Sequence, residues 1–140
     1  MADFEYQNVE AWNTAVRLAA AVGRLRIASN LKASADAQAK AFEAAGIACG
    51  LIADGASREG PAQVSLYRDA RGAIAQCSSW LHMLATITNQ EPDVFDEELR
   101  LADTASRQLA ALLRTLDRPQ RGMGPRPAPA GGRNRTGGPR

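Results

Sequence analysis

Asp54 and Arg58 close the run EAAGIACGLIADGASR, from Glu43 to Arg58. A carboxylate and a guanidinium at the mouth of an I-A-D-G-x-x-R loop suit an active site that grips a polar substrate. The flanking residues argue against that use. The run reads as the end of a helix, with Asp54 and Arg58 an i,i+4 acid-to-base pair of the same kind as Asp103 and Arg107. His82 is the only histidine. A carboxylate-bridged di-metal site in a helical bundle needs Glu-x-x-His on two helices and two more inward Glu. Ser79 stands three residues before His82, and no core stripe is expected to carry a carboxylate. No Ser-His-Asp arrangement, P-loop or G-x-G-x-x-G is recognisable. Cys49 and Cys77 have no C-x-x-C context. They read as small hydrophobes on core stripes of neighbouring helices, and a disulfide would require their Cα atoms within ~7 Å. The expectation is therefore a protein without catalytic residues, metal ligands, cofactor or small-molecule substrate, and not an enzyme.

Four helical stretches must position whatever function remains. The first is expected over 7–29, with Val9, Trp12, Val16, Ala19 and Gly23 as a stripe widened by Leu18, Val22 and Leu25. The second is expected over 34–56, with Ser34 as N-cap and Phe42, Ala45, Cys49 and Ile52 on its apolar face. Gly46 and Gly50 each weaken a helix by roughly 1 kcal/mol relative to Ala. They make sense where another backbone comes close, and Gly55 sits where a C-terminal cap would. The third is expected over 61–88, opened by Pro61 and carrying Val64, Tyr67, Ile74, Cys77, Leu81, Leu84 and Ile87 at helical spacing. The fourth is expected over 93–117, with Asp93 as N-cap and Asp96, Glu97 and Glu98 in its first turn, where the helix dipole favours acids. Its core face is Phe95, Leu99, Ala102, Leu109, Leu112, Leu113 and Leu116. Short connections make sequential helices antiparallel neighbours, so residues 1–117 are expected to form an up-down-up-down four-helix bundle.

Composition agrees with an all-α domain. Of 140 residues, 45% are hydrophobic but only 5% aromatic, which suits Ala-rich helices better than a sheet. No stretch approaches the ~18 apolar residues of a membrane span, no leader-like apolar segment opens the chain, and the thiols read as free. These features predict a cytoplasmic protein with no membrane partner.

Charge is unevenly distributed. Arg118, Arg121, Arg126, Arg133, Arg135 and Arg140 lie in a Gly- and Pro-rich segment without an acid, so removing six charges from the net +2 leaves residues 1–117 at −4. Residues 118–140 hold one large apolar side chain, Met123, and are expected to be disordered. Spaced arginines there either neutralise phosphates without fixed geometry or serve only as a solubilising tail. Arg17, Arg24, Arg26, Lys32 and Lys40 on the first two helices, with Arg58, Arg68 and Arg71 around the second connection, form either an ordinary solvated face or a nucleic-acid contact surface. Trp12 and Trp80 either fill the monomer core or belong to a surplus of apolar surface that a homo-oligomer would bury.

Glu43 to Arg58 resembles the helix ending in N-I-A-E-G-x-x-R of small bacterial four-helix-bundle proteins. The matching residues are Ile52, Ala53, Asp54, Gly55 and Arg58. That family includes proteins encoded in intervening sequences of large-subunit ribosomal RNA genes and the accessory variability determinant (Avd) proteins of diversity-generating retroelements. Ala70-Arg71-Gly72-Ala73-Ile74 resembles the family's A-R-G-S-L, and Val9-Glu10-Ala11-Trp12 resembles its L-x-V-W helix start. Leu66-Tyr67 followed by Trp80-Leu81 is similar to the Avd branch. The likeness covers about residues 7–116. Leu51 stands where the family has Asn, Asp54 where it has Glu, and Gln76 where Glu follows A-R-G-S-L. The resemblance implies a barrel-like homopentamer. For the Avd branch it implies binding of a reverse transcriptase and its template RNA through basic surfaces, here Arg17, Arg24, Arg26, Arg58, Arg68 and Arg71 with Arg118, Arg121, Arg126, Arg133 and Arg135 of the tail. For the intervening-sequence branch it implies an oligomeric scaffold with a protein partner.

Overall fold

The computed structural model describes residues Phe4 to Asp117. They form four helices, α1 (Glu10–Gly23), α2 (Lys32–Ala56), α3 (Gly60–Ile87) and α4 (Asp96–Asp117), with 3-10 turns at Glu5–Asn8 and Pro92–Phe95. No strand occurs among the described residues. Each helix packs on the next and α4 returns to α1, so the four enclose one core. No helix is long and apolar enough to cross a membrane. The expected disorder of 118–140 lies outside the described residues.

α1 is shorter than its apolar spacing suggests, ending at Gly23 rather than Ser29. The reason is tertiary. The Gln38 amide of α2 donates to the carbonyls of Val22 (3.0 Å) and Leu25 (2.9 Å), acceptors that a continuing helix would use for its own N–H groups. The chain then runs irregularly from 24 to 31, with Leu25 and Ile27 half-buried against the core. The buried stripe of α1 also lies beside the expected one. Ala11, Ala15, Leu18 and Val22 face inward, while Val9, Trp12, Val16 and Ala19 are half-buried flanks and Gly23 is exposed. Trp12 instead takes the Tyr6 ring at 4.7 Å, and Tyr6 stacks on Phe4, which ties the amino-terminal turn to α1.

α2 turns its bulk outward. Its buried face is Ala37, Ala41, Ala44, Ala45 and Ala48, with Ile52 and Gly55 near the end, while Phe42 and Ile47 are each 49% exposed. Phe42 is thus not a core residue. It lies over Gly23, where an added Cβ would come 3.1 Å from its ring. Ser34 is not the N-cap, since α2 begins at Lys32. It is buried in the first turn, where its hydroxyl shares a 3.0 Å hydrogen bond with Ser29. Gly55 is not a left-handed cap but an interior glycine. A Cβ there would lie 2.8 and 2.9 Å from Tyr67 ring atoms and 3.3 Å from Leu66 Cβ. The α2 end is held from α3 instead, by the Gln63 amide donating to the Gly55 carbonyl at 3.0 Å.

α3 begins at Gly60, in the left-handed region with φ 69°, and Pro61 follows at a first-turn position that needs no N–H partner. Tyr67, Ala70, Ala73, Ile74, Cys77, Leu81, Leu84 and Ala85 are buried. The helix stops at Asn89, whose φ of 59° lets the Gln90 N–H reach back to the Ala85 carbonyl at 2.8 Å. Asp93 does not cap α4. It lies in the 3-10 turn that buries Phe95, and the helix starts at Asp96. Ala102, Ala105 and Leu109 form the centre of its inner face, with Leu99, Leu112, Leu113 and Leu116 at the edges. Glu98, only 8% exposed, corrects the expectation that no core stripe carries a carboxylate. It stands in the first turn, where the helix amino end stabilises negative charge.

Candidate nucleic-acid interface

The motif residues and the basic residues separate on the folded chain. Ile52, Gly55 and Ala70 are buried in the α2–α3 seam, where the Tyr67 ring covers Gly55. Ala53 is half-buried. Arg71 and Gly72 are exposed, and an added Cβ at Gly72 meets nothing within 4 Å. Asp54 and Arg58 pair with each other, Arg58 Nε donating to Asp54 Oδ1 at 3.0 Å. Ile52, Gly55 and Ala70 therefore serve helix packing, while Arg58, Arg71 and Gly72 remain on the surface. Arg58 brings a charge already balanced by its neighbour.

Five ion pairs occur among the described residues: Lys32–Asp36, Lys40–Glu43, Arg58–Asp54, Arg100–Asp96 and Arg107–Asp103. All are exposed pairs three or four residues apart, four within one helix and Arg58–Asp54 across the end of α2, each contributing roughly 0.3–0.5 kcal/mol. Arg17, Arg24, Arg26, Arg68, Arg71 and Arg114 belong to none of them. Their places differ. Arg24 and Arg26 lie on the connection after α1. Arg17 lines a shallow groove between α1 and α4 with Thr14, Arg100, Thr104 and Glu97. Arg68 and Arg71 sit on α3 facing α4. Arg71 Nε donates to Ser106 Oγ at 3.2 Å, and Arg68 lines a groove of about 480 Å³ with Val64, Leu116 and Asp117.

Arg107 follows Ser106, and Arg114 lies seven residues further along the same flank of α4. Arg68 and Arg71 border the α3–α4 seam, accompanied by Asp103 and Asp117, whereas Arg107 and Arg114 lie on the exposed outer face of α4. The seam opens at the end where α4 finishes. Arg118, Arg121, Arg126, Arg133 and Arg135 lie outside the described residues. The sequence reading did not name Arg107 and Arg114 as candidates, although their heptad spacing, which puts both on one outer flank of α4, was visible. The opposite end of the same two helices is acidic, with Glu91, Asp93, Asp96, Glu97 and Glu98.

The remaining chemistry-bearing side chains do not converge. Among the described residues no three of His, Cys, Asp and Glu come together as a metal site would need. Exposed His82 is held by its own helix. Its Nδ1–H donates to the Ser78 carbonyl at 3.0 Å, which leaves Nε2 as the acceptor nitrogen. Cys77 is buried, and desolvation pushes its thiol up to about 12. Burial also raises the half-buried Cys49 thiol, against a hydrogen bond that lowers it. Neither is poised as a thiolate nucleophile. Burial raises the Tyr67 phenol as well, with Gln63 opposing and the Glu5 charge adding.

Comparison of the chain with protein-family models, curated proteins and solved structures finds no match.

Proposed function

We propose that this chain is a non-catalytic accessory protein that binds RNA, in the manner its resemblance to Avd proteins implies, as partner of a retroelement reverse transcriptase in the cytoplasm. The observation that carries the reading is the α3–α4 seam. Arg68 and Arg71 border it, Arg114 stands on the neighbouring outer face of α4, none of the three is in an ion pair among the described residues, and the sequence continues after α4 with six more arginines and no acid. Spaced guanidiniums suit a phosphate backbone, because each neutralised phosphate releases a counterion and no base need be read. Five of the fifteen acids behind the net −4 of residues 1–117 stand at the far end of α3 and α4, away from Arg68 and Arg71.

The same reading includes self-assembly into a homopentamer. It is supported by Gly46, Gly50 and Gly72, exposed in helix interiors where an added Cβ meets nothing within 4 Å. The expectation that another backbone comes close to Gly46 and Gly50 does not hold within one chain. Together the three glycines cost roughly 3 kcal/mol of helix stability, and the single chain offers no return. A neighbouring copy packed on this face, beside Ile47 and Met83, would use the space.

Filter binding with a structured RNA tests the first claim. Micromolar or tighter affinity is expected, falling steeply with salt. Arg68→Gln/Arg71→Gln/Arg114→Gln should flatten the salt slope by roughly 2–3 units. No binding at low salt refutes the reading. Native mass measurement tests the second claim, and a monomer at tens of micromolar refutes it. The alternative, an oligomeric scaffold of the intervening-sequence type with a protein partner, is favoured by the exposed Phe42 and Ile47 on α2. A protein partner recovered after nuclease treatment, without RNA affinity, would select it.

A further inference from the structure

The bundle end where α1 finishes and α4 begins carries its charge in two separate halves. The order of the helices brings the connections 24–31 and 88–95 to this end. The first holds Arg24 and Arg26 and no acid, the second Glu91 and Asp93 and no base. All four side chains are exposed, and none joins an ion pair among the described residues. Each half also exposes one large apolar side chain, Leu31 at 54% and Val94 at 50%.

The helix ends deepen the division. α2 starts with no acid in its first turn and no side-chain cap hydrogen bond, so its positive amino end adds to the basic half. α4 starts with three acids, more than one amino end balances, and only Asp96 has an ion-pair partner, Arg100. The two halves adjoin where α1 packs on α4, with Arg17, Glu97 and Arg100 lining one groove.

This pattern narrows the partner. The acidic half repels a nucleic acid, and a protein surface of either single sign is repelled by one half. A second copy turned about a two-fold axis meets both halves with their opposites and brings Leu31 of one copy against Val94 of the other. An isologous contact requires such a self-complementary patch. We infer that two copies of this chain pair end to end through this surface, joined by Arg24 and Arg26 of each with Glu91 and Asp93 of the other. The contact uses the bundle end, whereas the proposed homopentamer uses the glycine-bearing faces of α2 and α3. It therefore doubles the mass of a monomer or of a pentamer alike, and it stands whether or not the chain binds RNA.

Sedimentation equilibrium of the full chain tests it. The contact is small, so the pairing is weak, with an expected Kd of about 10–100 µM at low salt. Salt at about 0.5 M should weaken it at least tenfold, because exposed charges carry it. Arg24→Glu/Arg26→Glu makes both halves acidic, and Glu91→Lys/Asp93→Lys makes both basic. Each variant alone should pair at least about tenfold more weakly than the native chain, since like charges then face each other. An equal mixture of the two should pair at least as tightly as the native chain, which also shows that both variants are folded. A native protein whose mass does not double at low salt up to about 1 mM overturns the inference. So does native-like pairing of either variant alone, or a mixture that fails to pair.

Discussion

Gly55→Ala tests how the α2–α3 seam is built. The added methyl carbon would sit 2.8 and 2.9 Å from Tyr67 ring carbons and 3.3 Å from Leu66 Cβ, against an ordinary carbon contact of roughly 3.5–4.0 Å. Tyr67 is 3% exposed, so its ring can give way only by pushing on the core. Overpacking of this kind costs about 1–3 kcal/mol. Alanine gives back about 1 kcal/mol of helix propensity. The expected net loss is up to about 2 kcal/mol, about 1 at the middle of the range, read as a lower urea midpoint at unchanged m-value, with the protein dilute enough to exclude association. Gly50→Ala is the control, since it adds the same propensity with nothing within 4 Å and should gain up to about 1 kcal/mol. In a Tyr67→Leu background the Gly55→Ala penalty should shrink, because the clashing ring is gone. A Gly55→Ala protein as stable as the parent would refute the account of the seam.

Alkaline unfolding should report on Cys77. Its thiol titrates at about 12 in the folded chain and near 9.0 when unfolded, so above pH 9 the unfolded state alone ionises. Stability is then complete below pH 9 and falls by at most about 1.4 kcal/mol per pH unit between 9 and 12. Cys77→Ala should flatten that part of a denaturation-versus-pH profile. Gln38→Ala should cost about 1–2 kcal/mol in a urea titration, because it removes the amide donor to the Leu25 carbonyl and leaves Val22 with only its local backbone donor. Faster amide exchange around 24–31 should accompany it. Arg58→Gln should change stability by less than about 0.5 kcal/mol, since the Asp54 pair is exposed. A larger loss in thermal melts would show that the pair does more than decorate a helix end.

Periodicity and helix-end chemistry made the helices legible. Pro61 and the acids of the first α4 turn act within a few residues of where they stand, so α3 and the body of α4 match their expected spans closely. Ser34 and Asp93 misled because hydroxyl and carboxylate caps compete with tertiary contacts. Ser34 is drawn inward to Ser29, and the burial of Phe95 sets the start of α4. The end of α1 was hidden because its determinant, Gln38, lies on another helix.

The candidate site divides in the same way. Net charge and the acid-free arginine segment are properties of composition, and the sequence determined them alone. Which face of α2 turns inward was a tertiary decision. Alanines allow the closest approach to α3, so Phe42 and Ile47 are displaced to the outside although they are the more apolar residues. The placing of Arg68 and Arg71 against α4 was decided there too. Residues some 35 apart become neighbours only when antiparallel helices set their register, as the Arg71–Ser106 bond records. Local rules act over one or two turns of chain, whereas seams, grooves and charge patches arise where separate helices meet.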